Sequence, residues 1–420
     1  MFKRKMFKRK PLRALMFALA LALCLGSFTA VFAEDGTEDD PAKATITKIL
    51  KMPNGASFPA GGFTFTFDIG AVSVDGVAGT ATNMPVIAGQ IVGFTASDSG
   101  TSASNITTYT KESADIFAGV DFPHPGVYVY EVTEQQTGAY TPTSGWIEDM
   151  AYSPATYTLT VVVKQGASHT FIETIAVTVT TADNSTQNEG DKVDPTPGQS
   201  GMVFTNTYTK KMDGDDPLTN STLNIGMTAA GDYADMTLYF PVEVTLTKSV
   251  LETGASPTYR AYVVDTATNT VVNGDSGIGM TKAGTDTHGD YYDFTSDTAT
   301  PLNLKHGQTL AFVGVPVGTA WTATDTLGSG APYNNYLASG TANGTALTPP
   351  ANRGASLSTG AQLVREAASG AAFTNTYDIT TPTGIILNNL PFIGLIVLAM
   401  AALGAFIAVK SRRRNRESNV

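Results

Sequence analysis

Apolar side chains recur at every second position through most of this chain, and that period fixes the local backbone. Thr45-Ile46-Thr47-Lys48, Phe63-Thr64-Phe65-Thr66-Phe67, Val127-Tyr128-Val129-Tyr130, Tyr157-Thr158-Leu159-Thr160-Val161 and Val242-Glu243-Val244-Thr245-Leu246 all alternate. Successive side chains on a strand point to opposite faces, so each run buries one face and wets the other. No stretch between residues 34 and 383 carries a helical stripe. Short half-buried strands broken by Gly, Pro, Asn and Asp predict an all-β sandwich.

An internal repeat sets the domain count. Phe204-Thr205-Asn206-Thr207-Tyr208 recurs as Phe373-Thr374-Asn375-Thr376-Tyr377, and each copy closes a strand-rich block. The expected layout is one sandwich over 42–208, a linker over 209–220 and a second sandwich over 221–378. About 350 residues suit two such domains better than one.

The two ends do not share the alternation. Met1 to Arg13 carries seven Lys or Arg and no acid, Leu15 to Leu25 is apolar, and Val31-Phe32-Ala33 offers small residues for cleavage. That pattern predicts a secretion signal over 1–33. Near the other end, Thr381-Pro382-Thr383-Gly384 precedes an apolar run from Leu390 to Val409 and a basic tail over 410–420. At 1.5 Å per residue the run is long enough to cross a bilayer core, with the basic tail on the cytoplasmic side. This order resembles the sorting signal of Gram-positive surface proteins. The resemblance implies that sortase cuts between Thr383 and Gly384, joins the Thr383 carboxyl to an amine, and leaves the protein on the cell wall after a transient membrane stage. Thr380-Thr381-Pro382-Thr383-Gly384 departs from the common Leu-Pro-any-Thr-Gly form and looks like a variant of some pilus-shaft proteins. The alternative is a plain tail anchor.

Charge and cysteine content narrow the partners. Removing the signal and everything after Gly384 leaves 14 basic against 36 acidic residues, a net charge of −22. So acidic a surface argues against nucleic acid. The single cysteine, Cys24, lies in the signal. The mature chain then has no disulfide and no Cys-based metal site, and no cofactor or metal is expected.

Three polar residues sit on apolar strand faces. Lys48 shares a face with Ala44, Ile46 and Leu50. Glu134 shares one with Tyr128, Tyr130 and Val132, and Asn206 with Met202, Phe204 and Tyr208. Each is costly to bury alone, so the three are expected to meet. Burial lowers the pKa of a Lys and raises that of a Glu. A neutral Lys48 is then a nucleophile toward the Asn206 carboxamide, with Glu134 polarising it and moving protons, and loss of ammonia leaves an amide cross-link. The alternative is a buried salt bridge beside a hydrogen-bonded Asn. Here the sequence resembles the streptococcal pilin isopeptide-linkage family, through Thr45 to Lys48, Phe63-Thr64-Phe65, Pro125-Gly126-Val127-Tyr128 leading to Glu134, Tyr152 to Val162, and Phe204-Thr205-Asn206. The resemblance implies immunoglobulin-like (Cna B-type-like) sandwiches with a Lys–Asn bond assisted by Glu134.

The second block resembles the second domain of the same pilins, with an altered site. Thr222 to Ile225 and Leu304 to Gly318 carry the match. In that register Met227 takes the Lys position, Asp325 the Glu position, and Asn375 is kept. Lys248 is a rival nucleophile, since it shares a face with Val242, Val244 and Leu246. A Lys-free site would instead pack Met227 against Asn375.

Other signals are weaker. Gly274-Asp275-Ser276-Gly277 mimics a serine-protease segment without a matching His base, and Asn273-Gly274-Asp275 reads as a hairpin turn. No enzyme site is expected beyond the self-formed bond. In the family the acceptor lysine for polymerisation lies shortly before the last strand of the first domain, and Lys192, in an open Gly- and Asp-rich segment, is the candidate. The expected function is a pilus subunit polymerised and wall-anchored by sortase through Pro382-Thr383-Gly384. Its partners are sortase, copies of itself and peptidoglycan, with host surface ligands also open. The rival is a wall-anchored monomeric or tip adhesin.

Overall fold

A computed structural model describes residues 35–183, 187–252, 256–377 and 383–417. The signal, Thr380, Thr381 and Pro382 lie outside the described residues. Two β-sandwich domains follow one another, as the alternation predicts.

Domain 1 is built from β1 (Ile46–Pro53), β2 (Phe63–Val74), β3 (Gln90–Phe94), β4 (Ile106–Glu112), β5 (Gly126–Glu134), β6 (Trp146–Ala151), β7 (Thr156–Gln165), β8 (Thr170–Thr181), the two-residue β9 (Lys192–Val193) and β10 (Met202–Met212). One sheet has the order β4-β1-β10-β6 and the other β9-β8-β7-β5-β2, with β3 also on β2. Asp75 and Gly76, with φ of 48° and 78°, close the hairpin after β2 as the positive-φ turn such hairpins favour. The inward faces interleave between the sheets: Phe63, Phe65 and Phe67 of β2, Tyr128 and Tyr130 of β5, Tyr157 of β7 and Phe204 of β10 are all buried. Each such side chain contributes about 1.5–3 kcal/mol on burial.

Domain 2 follows the same plan. Its strands are β11 (Ser221–Ala230), β12 (Tyr239–Thr247), β13 (Thr258–Asp265), β14 (Asp290–Thr295), β15 (Thr300–Lys305), β16 (Gln308–Val313), β17 (Ala320–Asp325), β18 (Tyr336–Ala342) and β19 (Ser369–Tyr377). The sheets run β14-β13-β16-β11-β19-β18 and β15-β12-β17. Both domains pair their first and last strands in parallel. Lys48 lies opposite Phe204 in one, and Met227 lies opposite Phe373 in the other.

The junction differs from expectation. Thr209 to Met212, expected in a linker, continue β10, where Tyr208 to Met212 pair with Met150 to Trp146. The reason is that the inward face of β10 does not stop at Tyr208. Lys210 is the next inward residue, only 2% exposed. Its ammonium lies 3.2 Å from Glu148 of domain 1, 3.1 Å from Glu366 of domain 2 and 4.9 Å from the centre of the Trp146 ring. Val317 N–H donates to the Lys210 carbonyl, and Ser57 donates from its hydroxyl to Glu366. Burial opposes ionisation of Glu148, but hydrogen bonds from Thr143 and contacts with Tyr208 and Lys210 hold it below the usual carboxylate range.

Asn273-Gly274-Asp275 is not a hairpin turn either. Asp275 caps a single 3₁₀ turn, Ser276–Ile278, by accepting from Gly277 N–H. A C-terminal helix, α1, spans Thr383–Glu417 and so includes Thr383 and Gly384. Among the described residues no helix is long and apolar enough to cross a membrane. The side chains of 383–391 and 393 are outside the described set, so the run from Leu390 to Val409 is only partly covered.

Candidate functional site: a buried Lys, Glu and Asn in domain 1

The three residues picked out by alternation meet. Lys48 comes from the middle of β1, Glu134 from the end of β5 and Asn206 from the middle of β10. β1 and β10 are adjacent and parallel in one sheet, while β5 faces them from the other. Lys48 and Asn206 are fully enclosed and Glu134 is 4% exposed.

One carboxylate oxygen serves both nitrogens. Glu134 Oε1 is 2.8 Å from Lys48 Nζ and accepts from Asn206 Nδ2 at 2.8 Å. The Lys48 contact is close but off the angle of a hydrogen bond, and Glu134 Oε2 has no partner. Lys48 Nζ also sits 4.4 Å from the centre of the Phe65 ring. Burial pulls the Lys48 ammonium down to about 8, against the opposing charge of Glu134. Burial likewise pushes Glu134 up, with Lys48 opposing. The two shifts bring the groups toward each other and so lower the cost of passing the proton from amine to carboxylate.

The sequence pattern suggests Glu134 on the carbonyl side of Asn206. The structure places it on the nitrogen side. Asn206 Oδ1 instead accepts from the backbone N–H of Ser153 at 2.7 Å. The arrangement can therefore shuttle a proton from the attacking amine to the departing one through a single oxygen.

Domain 2 holds the counterpart without its amine. Asn375 Nδ2 is 3.4 Å from Met227 Sδ, as a Lys-free site requires. Asp325 and Asn375 are fully buried; among the described residues Asn375 Oδ1 has no hydrogen-bond partner, and Asp325 has at most the Asn375 side chain beside it. Burial pushes Asp325 up to about 7. Lys248 does not join them. It follows the end of β12, whereas Asp325 pairs with Val242 in the first half of that strand. Six residues of strand separate the two positions, roughly 20 Å. The shared face ends where β12 ends, and Lys248 is half-exposed at the rim.

Lys192 is also placed differently. Rather than lying in an open segment, it pairs with Thr178 on the edge of the second sheet and is half-buried. Two residues of the site escape the sequence reading. Asp183 lies on the inward parity of Ile175, Val177 and Val179, which was a usable signal. Ser153 acts through its backbone, and no residue type announces that.

Comparison with known proteins identifies the kind of domain that carries this site. The family described as the Spy0128-like isopeptide containing domain matches residues 44–209. The first domain, under half of the chain, is thus similar to the streptococcal-type pilin isopeptide domains. Residues 221–377 match a family described only as a domain of unknown function. A pilin of Streptococcus pyogenes serotype M1 is 26% identical over 399 residues, covering 94% of this chain and 98% of that pilin. A solved structure of the major pilin of Streptococcus pyogenes is 24% identical, with a TM-score of 0.30, over 80% of this chain and 99% of the other. The T3.2 major pilin of the same species is 17% identical, with a TM-score of 0.29, over 80% and 98%.

Proposed function

We propose that this chain is a structural subunit of a cell-surface pilus, joined to its neighbours by sortase through Thr383 and stabilised in domain 1 by a self-formed Lys48–Asn206 amide. The observation that carries the cross-link is the placement of Glu134 Oε1 2.8 Å from both Lys48 Nζ and Asn206 Nδ2. Glu134 takes the ammonium proton, and neutral Nζ attacks the Asn206 Cγ. Glu134 then gives a proton to Nδ2 and takes one from Nζ. The carbonyl re-forms, the C–N bond to Nδ2 breaks, and ammonia leaves. No other turnover is ascribed to the chain.

The family match over 44–209 and the pilin that is alike over nearly its whole length support the pilus reading. The sorting pattern at Pro382-Thr383-Gly384, followed by the apolar run and the basic tail, supports attachment to a cell-wall amine and a surface location. Intact-mass measurement of residues 34–383 tests the cross-link. One ammonia below the sequence mass is expected, and Glu134→Ala restores the full mass. A wild type at full mass rejects the bond. A blot of wall extracts tests assembly: a high-mass ladder supports the shaft role, and a single band supports the anchored monomer or tip adhesin.

A further inference from the structure

We propose that the backbone N–H of Ser153 is the oxyanion donor of the amide-forming site, with Asp183 as the residue that positions it. The inference rests on the reading of Lys48 and Asn206 as the reacting pair.

The donor is aimed where charge develops. When Lys48 Nζ adds to the Asn206 Cγ, the C=O π electrons move onto Oδ1. That oxygen already accepts from Ser153 N–H at 2.7 Å. A backbone N–H can only donate, so the amide atom facing it is the oxygen. This leaves Nδ2 toward Glu134, where the leaving group needs its proton. A preorganised donor in a buried site lowers the barrier by stabilising the oxyanion without reorganisation. On collapse the charge returns to the carbonyl, the Cγ–Nδ2 bond breaks, and Ser153 keeps its hydrogen bond to the new amide.

Ser153 is fixed from several sides. It is 1% exposed. Its hydroxyl donates to Asp183 Oδ1, and the same oxygen accepts from Thr205 N–H, one residue before Asn206. Ala155 N–H donates to the Ser153 hydroxyl oxygen, and Gln136 Nε2 donates to its carbonyl. Asp183 thus ties the segment between β6 and β7 to β10 at the point of reaction. Domain 2 offers the contrast. Asn375 Oδ1 has no donor, and the amine is missing as well.

The test replaces Ser153 by its α-hydroxy acid analogue in cell-free synthesis of residues 34–383. That exchanges the N–H for an ester oxygen and keeps the side chain. Ammonia loss is followed by intact mass against time from synthesis. The ester form is expected to react roughly 10²- to 10³-fold more slowly than wild type. Ser153→Ala, which keeps the N–H, stays closer to wild type. An ester form that folds cooperatively and loses ammonia as fast as wild type overturns the proposal while leaving the cross-link intact. A wild type that loses none rejects the underlying bond instead. If the ester form does not fold, hydrogen exchange in the unlinked Glu134→Ala protein decides. Protection of the Ser153 amide that disappears on adding Asn206→Ala supports the donor, and free exchange of that amide rejects it. Asp183→Asn, which keeps an acceptor for the Ser153 hydroxyl, is expected to retain most of the rate that Asp183→Ala loses.

Discussion

The side-chain amide of Asn375 points at the thioether of Met227, 3.4 Å from Nδ2 to Sδ. Sulfur is a weak acceptor and no nucleophile toward an amide, so the contact packs the pair without joining it. The equivalent positions in domain 1 put an amine beside a carboxamide. Loss of the amine, with Asp325 in place of a Glu, thus separates two sandwiches of the same plan.

The domains are therefore expected to differ in resistance. A Lys48–Asn206 bond closes a loop of most of domain 1 and restricts its unfolded chain, by the logic of long disulfide loops. Limited proteolysis and calorimetry should show domain 2 opening first. A domain 2 that outlasts domain 1 would contradict this assignment, and Lys248→Ala should leave the ammonia loss, measured against the variant's own sequence mass, unchanged.

Domain 2 should also be more stable in acid. The Asp325 carboxyl is pushed from 3.8 up to about 7 by burial. The unfolded chain releases that proton on rising through about 4, and the fold resists until about 7. Stability is therefore full below about pH 4 and is lost as pH rises through 7, by roughly 4 kcal/mol in all. Asp325→Asn should flatten the profile. Equal denaturation midpoints for domain 2 at about pH 4.5 and about pH 8, which span most of the shift, would reject a neutral Asp325.

Lys210 offers a separate handle on the junction. Lys210→Met leaves Glu148 buried without its cation, and losing one partner of a buried pair costs about 3 kcal/mol. Chemical unfolding should report that loss, and cleavage within 213–220 should become faster. Unchanged cleavage would mean that the domains are held by other contacts.

For polymerisation, Lys192→Ala should reduce the wall ladder to monomer while the ammonia loss persists. A surviving ladder would dismiss Lys192. Lys210 is then a poor substitute, since it is enclosed between the domains; Lys211, half-exposed beside it, is the better one.

Much of this site was legible because strands encode facing directly. Counting by twos from Ala44, Tyr128 and Met202 places Lys48, Glu134 and Asn206 inward, and all three are. The same count carried past Tyr208 reaches Lys210, but the run of polar residues there reads as a linker. Facing does not say how far along the strand a residue lies from its partners. Lys248 has the right parity but lies six residues along the chain from Val242, the partner of Asp325. Nor does a side-chain pattern reveal a backbone donor, so the contact on Asn206 Oδ1 is visible only in the folded chain.

The parallel pairing of β11 with β19 governs how domain 2 meets tension. The chain enters this pair at Ser221 and leaves it at Tyr377, at opposite ends of two strands running the same way. Pulling the ends slides one strand along the other, so the ladder from Leu223 to Ala230 bears the load together. A hairpin pulled from its open end would instead unzip rung by rung. Domain 2 thus has a shear clamp alone, where the proposed amide would tie domain 1, and a stretched fibre of such subunits would yield at the clamp.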